Sequence, residues 1–134
     1  MNVRLGMETI FLNAVILASD YENLVGWYKN TFDLDMGTNV DEDYHYTELT
    51  RAGKLVISIA DAKEMGVTPS EPRNNSLIIQ LSLSSISEAF GRIKNSGGKI
   101  LFGPSFDKKW GFYYGGFNDI EGNQVWAIEN NIDN

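Results

Sequence analysis

The sequence contains no cysteine, a single histidine and only three prolines in 134 residues. The lack of cysteine excludes disulfides, thiolate metal sites and a cysteine nucleophile, and it agrees with a reducing cytoplasm as the expected location. Positive charge is also scarce. Eleven Lys and Arg stand against 18 Asp and Glu, a formal charge of −7, and Lys108-Lys109 is the only basic dipeptide. Such a surface repels phosphates, so no nucleic-acid partner is expected. No apolar run approaches the roughly 20 residues of a membrane helix, and the N-terminus shows no signal-peptide pattern. No membrane partner is therefore expected. What is abundant is core material: 43% hydrophobic residues, 12% of the chain aromatic, enough for one independently folding domain.

The chain repeats itself. A shift of 65 residues lays Leu12 on Leu77, Ile16 on Leu81, Asp20 on Ser85, Gly26 on Gly91 and Tyr28 on Ile93. A second echo, at an offset of 69, lays Ala52-Gly53-Lys54-Leu55-Val56-Ile57 on Glu121-Gly122-Asn123-Gln124-Val125-Trp126. A period near half the chain implies two packed modules with a site between them, not a solenoid. Glycine in mid-helix costs about 1 kcal/mol against alanine, so Gly26 and Gly91 predict close backbone approach to a sheet.

Each copy reads as a βαβββ unit. Ile10 to Ala18 is a buried strand, Asp20 caps a helix carrying Leu24, Val25, Tyr28 and Phe32 on one face, and strands follow at 35–40, 44–50 and 54–60. Ser76 to Leu83 repeats the strand, Ser85-Ile86-Ser87-Glu88 is a capping box, and strands follow at 99–102, 110–117 and 124–129. Module one spans about 7–61, module two about 76–130, and a linker of about 62–75, containing Pro69 and Pro72, reads as a connection or mobile lid.

Two stretches then resemble a known family. They are Ser19-Asp20 leading into a helix with Trp27-Tyr28, and the string from Trp110 through Gly115-Gly116-Phe117-Asn118-Asp119-Ile120-Glu121-Gly122-Asn123 to Trp126. With the duplication, these are similar to the glyoxalase/bleomycin-resistance/extradiol-dioxygenase superfamily, the vicinal oxygen chelate fold. The resemblance implies an α+β fold in which two tandem βαβββ modules form a curved, cup-like mixed sheet with helices outside. It also implies a homodimer. In that family one residue from each of four strands, usually His or Glu, holds a divalent metal. The matching positions here are Asn13, Ile57, Ile78 and Trp126, so no metal and no cofactor is expected.

What the resemblance leaves is a cup for a small-molecule ligand. Strand alternation adds Val15 to Asn13, and Gln80 and Ser82 to Ile78. Trp110 and Tyr113 join them at the expected mouth, and Trp126 is read either as pocket wall or as core plug. His45 titrates nearest neutrality and Glu48 sits on the strand face opposite to it; they are the candidates for an unaided base, although an ordinary strand histidine and an exposed carboxylate are the simpler readings. The expected function is metal-independent binding or sequestration of an apolar or aromatic molecule, such as a drug or toxic metabolite. The alternatives are a lyase, isomerase or dioxygenase of the same superfamily, and an interaction module with a plugged cup.

Overall fold

The computed structural model describes residues 13–69 and 77–129. Module one runs β1 (Val15–Ala18), α1 (Tyr21–Thr31), β2 (Asp35–Val40), β3 (Tyr46–Arg51) and β4 (Lys54–Asp61). Module two runs β5 (Ile79–Leu83), α2 (Ile86–Asn95), β6 (Lys99–Asp107), β7 (Phe112–Asn118) and β8 (Gln124–Glu129). Each makes a four-stranded mixed sheet, ordered β1-β4-β3-β2 and β5-β8-β7-β6, with one parallel pair and two antiparallel pairs. The α+β class and the two βαβββ modules are as the sequence predicts. The start of the first strand before Asn13, and residues 70–76 of the linker with the lid expected there, lie outside the described residues.

Both helices begin where their caps place them. Asp20 accepts the Asn23 N–H and Ser85 accepts the Glu88 N–H. Only half of the capping box forms, because Glu88 turns to Arg92 instead of reaching back to the Ser85 N–H; the Glu129 carboxylate takes the Ile86 N–H at 2.9 Å. The opening strands are shorter than expected, starting at Val15 and Ile79, and three further boundaries differ. β3 starts at Tyr46, after a turn in which Asp43 takes φ of 70°. β7 starts at Phe112, because the Asp107 carboxylate accepts the Lys109 and Trp110 N–H groups and folds that stretch into a turn. β6 continues through Pro104 to Asp107: it is an edge strand, where a missing N–H is tolerated, and the register shifts between Phe102 and Ser105.

One face of each sheet is consumed in a single core shared by both helices. Ile16, Ala18, Leu49, Ile57 and Ile59 face α1, and Leu81, Phe117, Val125 and Ala127 face α2. Trp27, which the helical spacing leaves at the edge of the buried face, is 7% exposed because it crosses to module two: its Nε1 donates to the Ser96 carbonyl at 3.0 Å and its ring lies against Phe117. Tyr28 donates to the buried Asp119 carboxylate at 2.8 Å, and Glu121 accepts the Ser19 and Asp20 N–H groups at 2.8 and 2.7 Å.

The expectation for the mid-helix glycines is overturned, since a Cβ at Gly26 or Gly91 meets nothing within 4 Å. Their cost is purely one of backbone entropy. Gly26→Ala and Gly91→Ala should each stabilise the protein by up to about 1 kcal/mol in urea unfolding, whereas a loss would show that something does abut the helix there. Tyr28→Phe removes one partner from a buried carboxylate and should cost about 1–3 kcal/mol in the same assay.

Candidate ligand-binding site

Among the described residues the opposite face of each sheet carries no helix, and the modules present chemically different surfaces there. The register shows how they correspond. Val15 pairs with Ser58 across β1 and β4, and Gln80 pairs with Trp126 across β5 and β8. The structural partner of Trp126 is therefore Ser58, an offset of 68, not the 69 read from the hairpin echo. The cause is a bulge. Leu49 pairs with Ile57 and Thr50 with Leu55, so Val56 is the extra residue that turns the rest of β4 over. Ile57 is corrected accordingly: it is 1% exposed in the helix-side core, and Ser58 takes its place on the open face.

Sheet one presents a polar network. Asn13 Nδ2 donates to Ser58 Oγ at 3.0 Å, and Tyr46 Oη donates to Glu48 Oε2 at 2.8 Å and lies 3.2 Å from Ser58 Oγ. Glu48 pairs with Ser58 across β3 and β4, so it stands centrally on this face and is held by Tyr46. Val15 lies beside it, 42% exposed.

Sheet two presents a hollow of about 320 Å³, floored by Ala127 and Gly115 and walled by Phe102, Phe112, Tyr114 and Trp126, with Gln80 and Asp107 as its polar groups. Gly116 makes the floor possible, because any Cβ there would overlap the Phe102 ring. Trp126 is 43% exposed and meets Phe102 edge to face, so it is a wall of the hollow and not a plug. Tyr113 is corrected: alternation puts it on the other face, against Phe106, and Tyr114 lines the hollow instead. Trp110 is 71% exposed in the β6–β7 turn, with the Lys109 ammonium 5.4 Å over its ring. Ile78 is half-buried just ahead of β5, and Ser82 is exposed two residues beyond Gln80. Sequence reasoning missed Phe102, Phe112 and Tyr114, although the predicted strands 99–102 and 110–117 contain all three, because alternation was followed along the strands of Asn13, Ile78 and Trp126 and not along these two.

His45 stands apart from both surfaces. Its Nδ1 is 2.6 Å from Glu64 Oε2, its N–H donates to Glu64 Oε1, and its ring lies against Tyr21. The hydrogen bond to Glu64 raises its pKa above the ordinary 6.5.

No family model matches the sequence, and no curated protein does. Solved structures match over nearly the whole chain. A glyoxalase/bleomycin-resistance/dioxygenase superfamily member from Sphaerobacter thermophilus is 22% identical with a TM-score of 0.69, over 91% of this chain and 98% of that one. The chain has the glyoxalase/bleomycin-resistance fold. The fosfomycin resistance protein FosX from Listeria monocytogenes shares it at 14% identity and TM-score 0.69, over 95% and 98% of the two chains. TioX from Micromonospora sp. ML1 does so at 17% and 0.65, over 90% and 96%.

Within this fold the register-corrected metal positions are Asn13, Ser58, Ile78 and Trp126. They offer one amide and one hydroxyl, already bonded to each other, and two side chains with no ligating lone pair. Among the described residues no three His, Asp or Glu side chains converge. This donor set does not fit the imidazole and carboxylate site of the fold.

The His45 pair makes a pH-dependent prediction. A folded pKa above the unfolded one stabilises fully below about pH 6.5, and this is lost as pH rises through the raised folded value. In Glu64→Gln the ring titration, followed by NMR on this single histidine, should move back towards 6.5. An unmoved titration would show that Glu64 is not what holds the proton.

Proposed function

We propose that this protein is a metal-independent small-molecule binder that sequesters a partly apolar ligand in the aromatic hollow of sheet two. The observation that carries this reading is the hollow itself: four aromatic rings, of which Phe102 and Trp126 are the most open to solvent, around two polar groups, the composition of a ligand pocket and not of a packed surface. The other half of the cup comes from a second copy. Every cross-module hydrogen bond and ring contact among the described residues lies on the helix side, and both open faces remain exposed, as Val15, Phe102 and Trp126 show. A homodimer that sets the polar face of sheet one over the aromatic face of sheet two covers both. Sharing the fold with a fosfomycin resistance protein supports a drug as one class of ligand for this cup.

One observation favours an enzyme as the second reading. Glu48, oriented by Tyr46 at the centre of sheet one, is placed as a general base facing the cup.

Two measurements test the binder. A rounded neutral apolar probe, adamantan-1-ol, should bind saturably in calorimetric titration and lose at least tenfold in affinity in Trp126→Ala, with melting unchanged; no saturable binding would sink the reading. Chelator-treated protein should melt at the same temperature with Ni, Zn, Mn or Fe(II), where a metal held at 100 times its Kd would add about 2.7 kcal/mol. A clear shift would move the enzyme to first place.

A further inference from the structure

The walls of the hollow stand at steep angles, and this restricts what they hold. Phe102 meets Trp126 at 82° with centroids 6.5 Å apart and meets Tyr114 at 53° and 6.3 Å, while Phe112 meets Tyr114 at 63° and 6.1 Å. A flat aromatic guest needs two parallel faces about 7 Å apart, twice a carbon contact distance, and none of these pairs is parallel. The rings form a corner. A corner of aromatic faces and edges suits a compact, rounded group, and the electron-rich faces favour one that is positively charged.

The electrostatics point the same way. Asp107 lines the hollow, and its Oδ1 is fixed by the Lys109 and Trp110 N–H groups at 2.9 and 3.0 Å. Among the described residues it makes no salt bridge. Lys109 sits over Trp110, which is not among the lining residues, and among the described residues no Lys or Arg lines the hollow. The chain as a whole carries −7. An anion would thus meet aromatic faces and a carboxylate with no counter-charge, whereas an alkylammonium is attracted by both.

We propose that the hollow recognises the ammonium head of an organic cation, held by Phe102, Phe112, Tyr114 and Trp126 with the Asp107 carboxylate at the rim. This rests on the reading of the hollow as a ligand site and names the class of ligand.

The test compares choline with 3,3-dimethylbutan-1-ol, its neutral isostere, by calorimetric titration of the full chain. Choline should bind at least tenfold more tightly. Asp107→Asn, whose amide oxygen still accepts the turn N–H groups, should weaken choline several-fold and leave the alcohol unchanged. Equal or tighter binding of the alcohol would overturn the cation proposal and leave the hollow as a neutral apolar site. Binding of neither would overturn both readings.

Discussion

A buried carboxylate on the last turn holds the two modules in their relation. Asp119 is 3% exposed, a position that costs several kcal/mol for a charge unless its lone pairs are filled. They are filled: Oδ1 accepts the Glu121 and Asn123 N–H groups, Oδ2 accepts the Tyr28 hydroxyl, and the Asn123 side chain donates to both. Burial, and then the neighbouring Asp119 charge, push the Tyr28 pKa well above its ordinary value, so the hydroxyl stays a donor across physiological pH. The same turn aims Glu121 at the start of α1, where its carboxylate meets two N–H groups and the positive end of the helix dipole. A turn of module two thus fixes a helix of module one. The exposed Arg92–Asp33 pair at the other end of α1 adds little by comparison.

This tether decides which surfaces are left for function. With α1 and α2 locked into one core through Trp27, Phe32, Phe90 and Phe117, the helix-side faces are spent. The opposite faces stand clear of that core, and the aromatic hollow lies on one of them. Their difference in chemistry follows from single positions at matched register: Ser58 against Trp126, Val15 against Gln80, and Glu48 against Gly116. In two of these pairs the small residue makes room for a neighbour. Gly116 admits the Phe102 ring, and Ser58 admits the hydroxyl of Tyr46.

The fold was legible because the duplication, the two caps and the strand–helix punctuation are all local signals that agree. The site was legible on strands that run straight from a recognisable turn: Asn13, Gln80 and Trp126 were reached by counting. It was misread where the backbone departs from strict alternation. One bulge at Val56 reversed Ile57 and Ser58, and nothing in Lys54-Leu55-Val56-Ile57 announces it, since every residue there is an acceptable strand former. Trp27 was misjudged for a different reason. A helical wheel reports the face turned to its own sheet, while the indole is buried against Ser96 and Phe117 of the other module. The role of Asp119 was not visible in the sequence, because its partner Tyr28 lies 91 residues away.

In the proposed dimer the two open faces also tie ligand binding to assembly. The hollow of about 320 Å³ is a concavity on one sheet, and a ligand bound there still exposes a side to water. A second copy that brings sheet one across it removes that side from water and sets Glu48, already oriented by Tyr46, against the ligand. A ligand touching both walls then binds the dimer better than the monomer, and by linkage it strengthens the dimer by the same factor. In the proposed dimer its apparent affinity rises with protein concentration, a dependence that a site complete within one chain cannot produce. An ammonium head gains most from this closure, because its attraction to the aromatic faces and to both carboxylates grows as water is excluded.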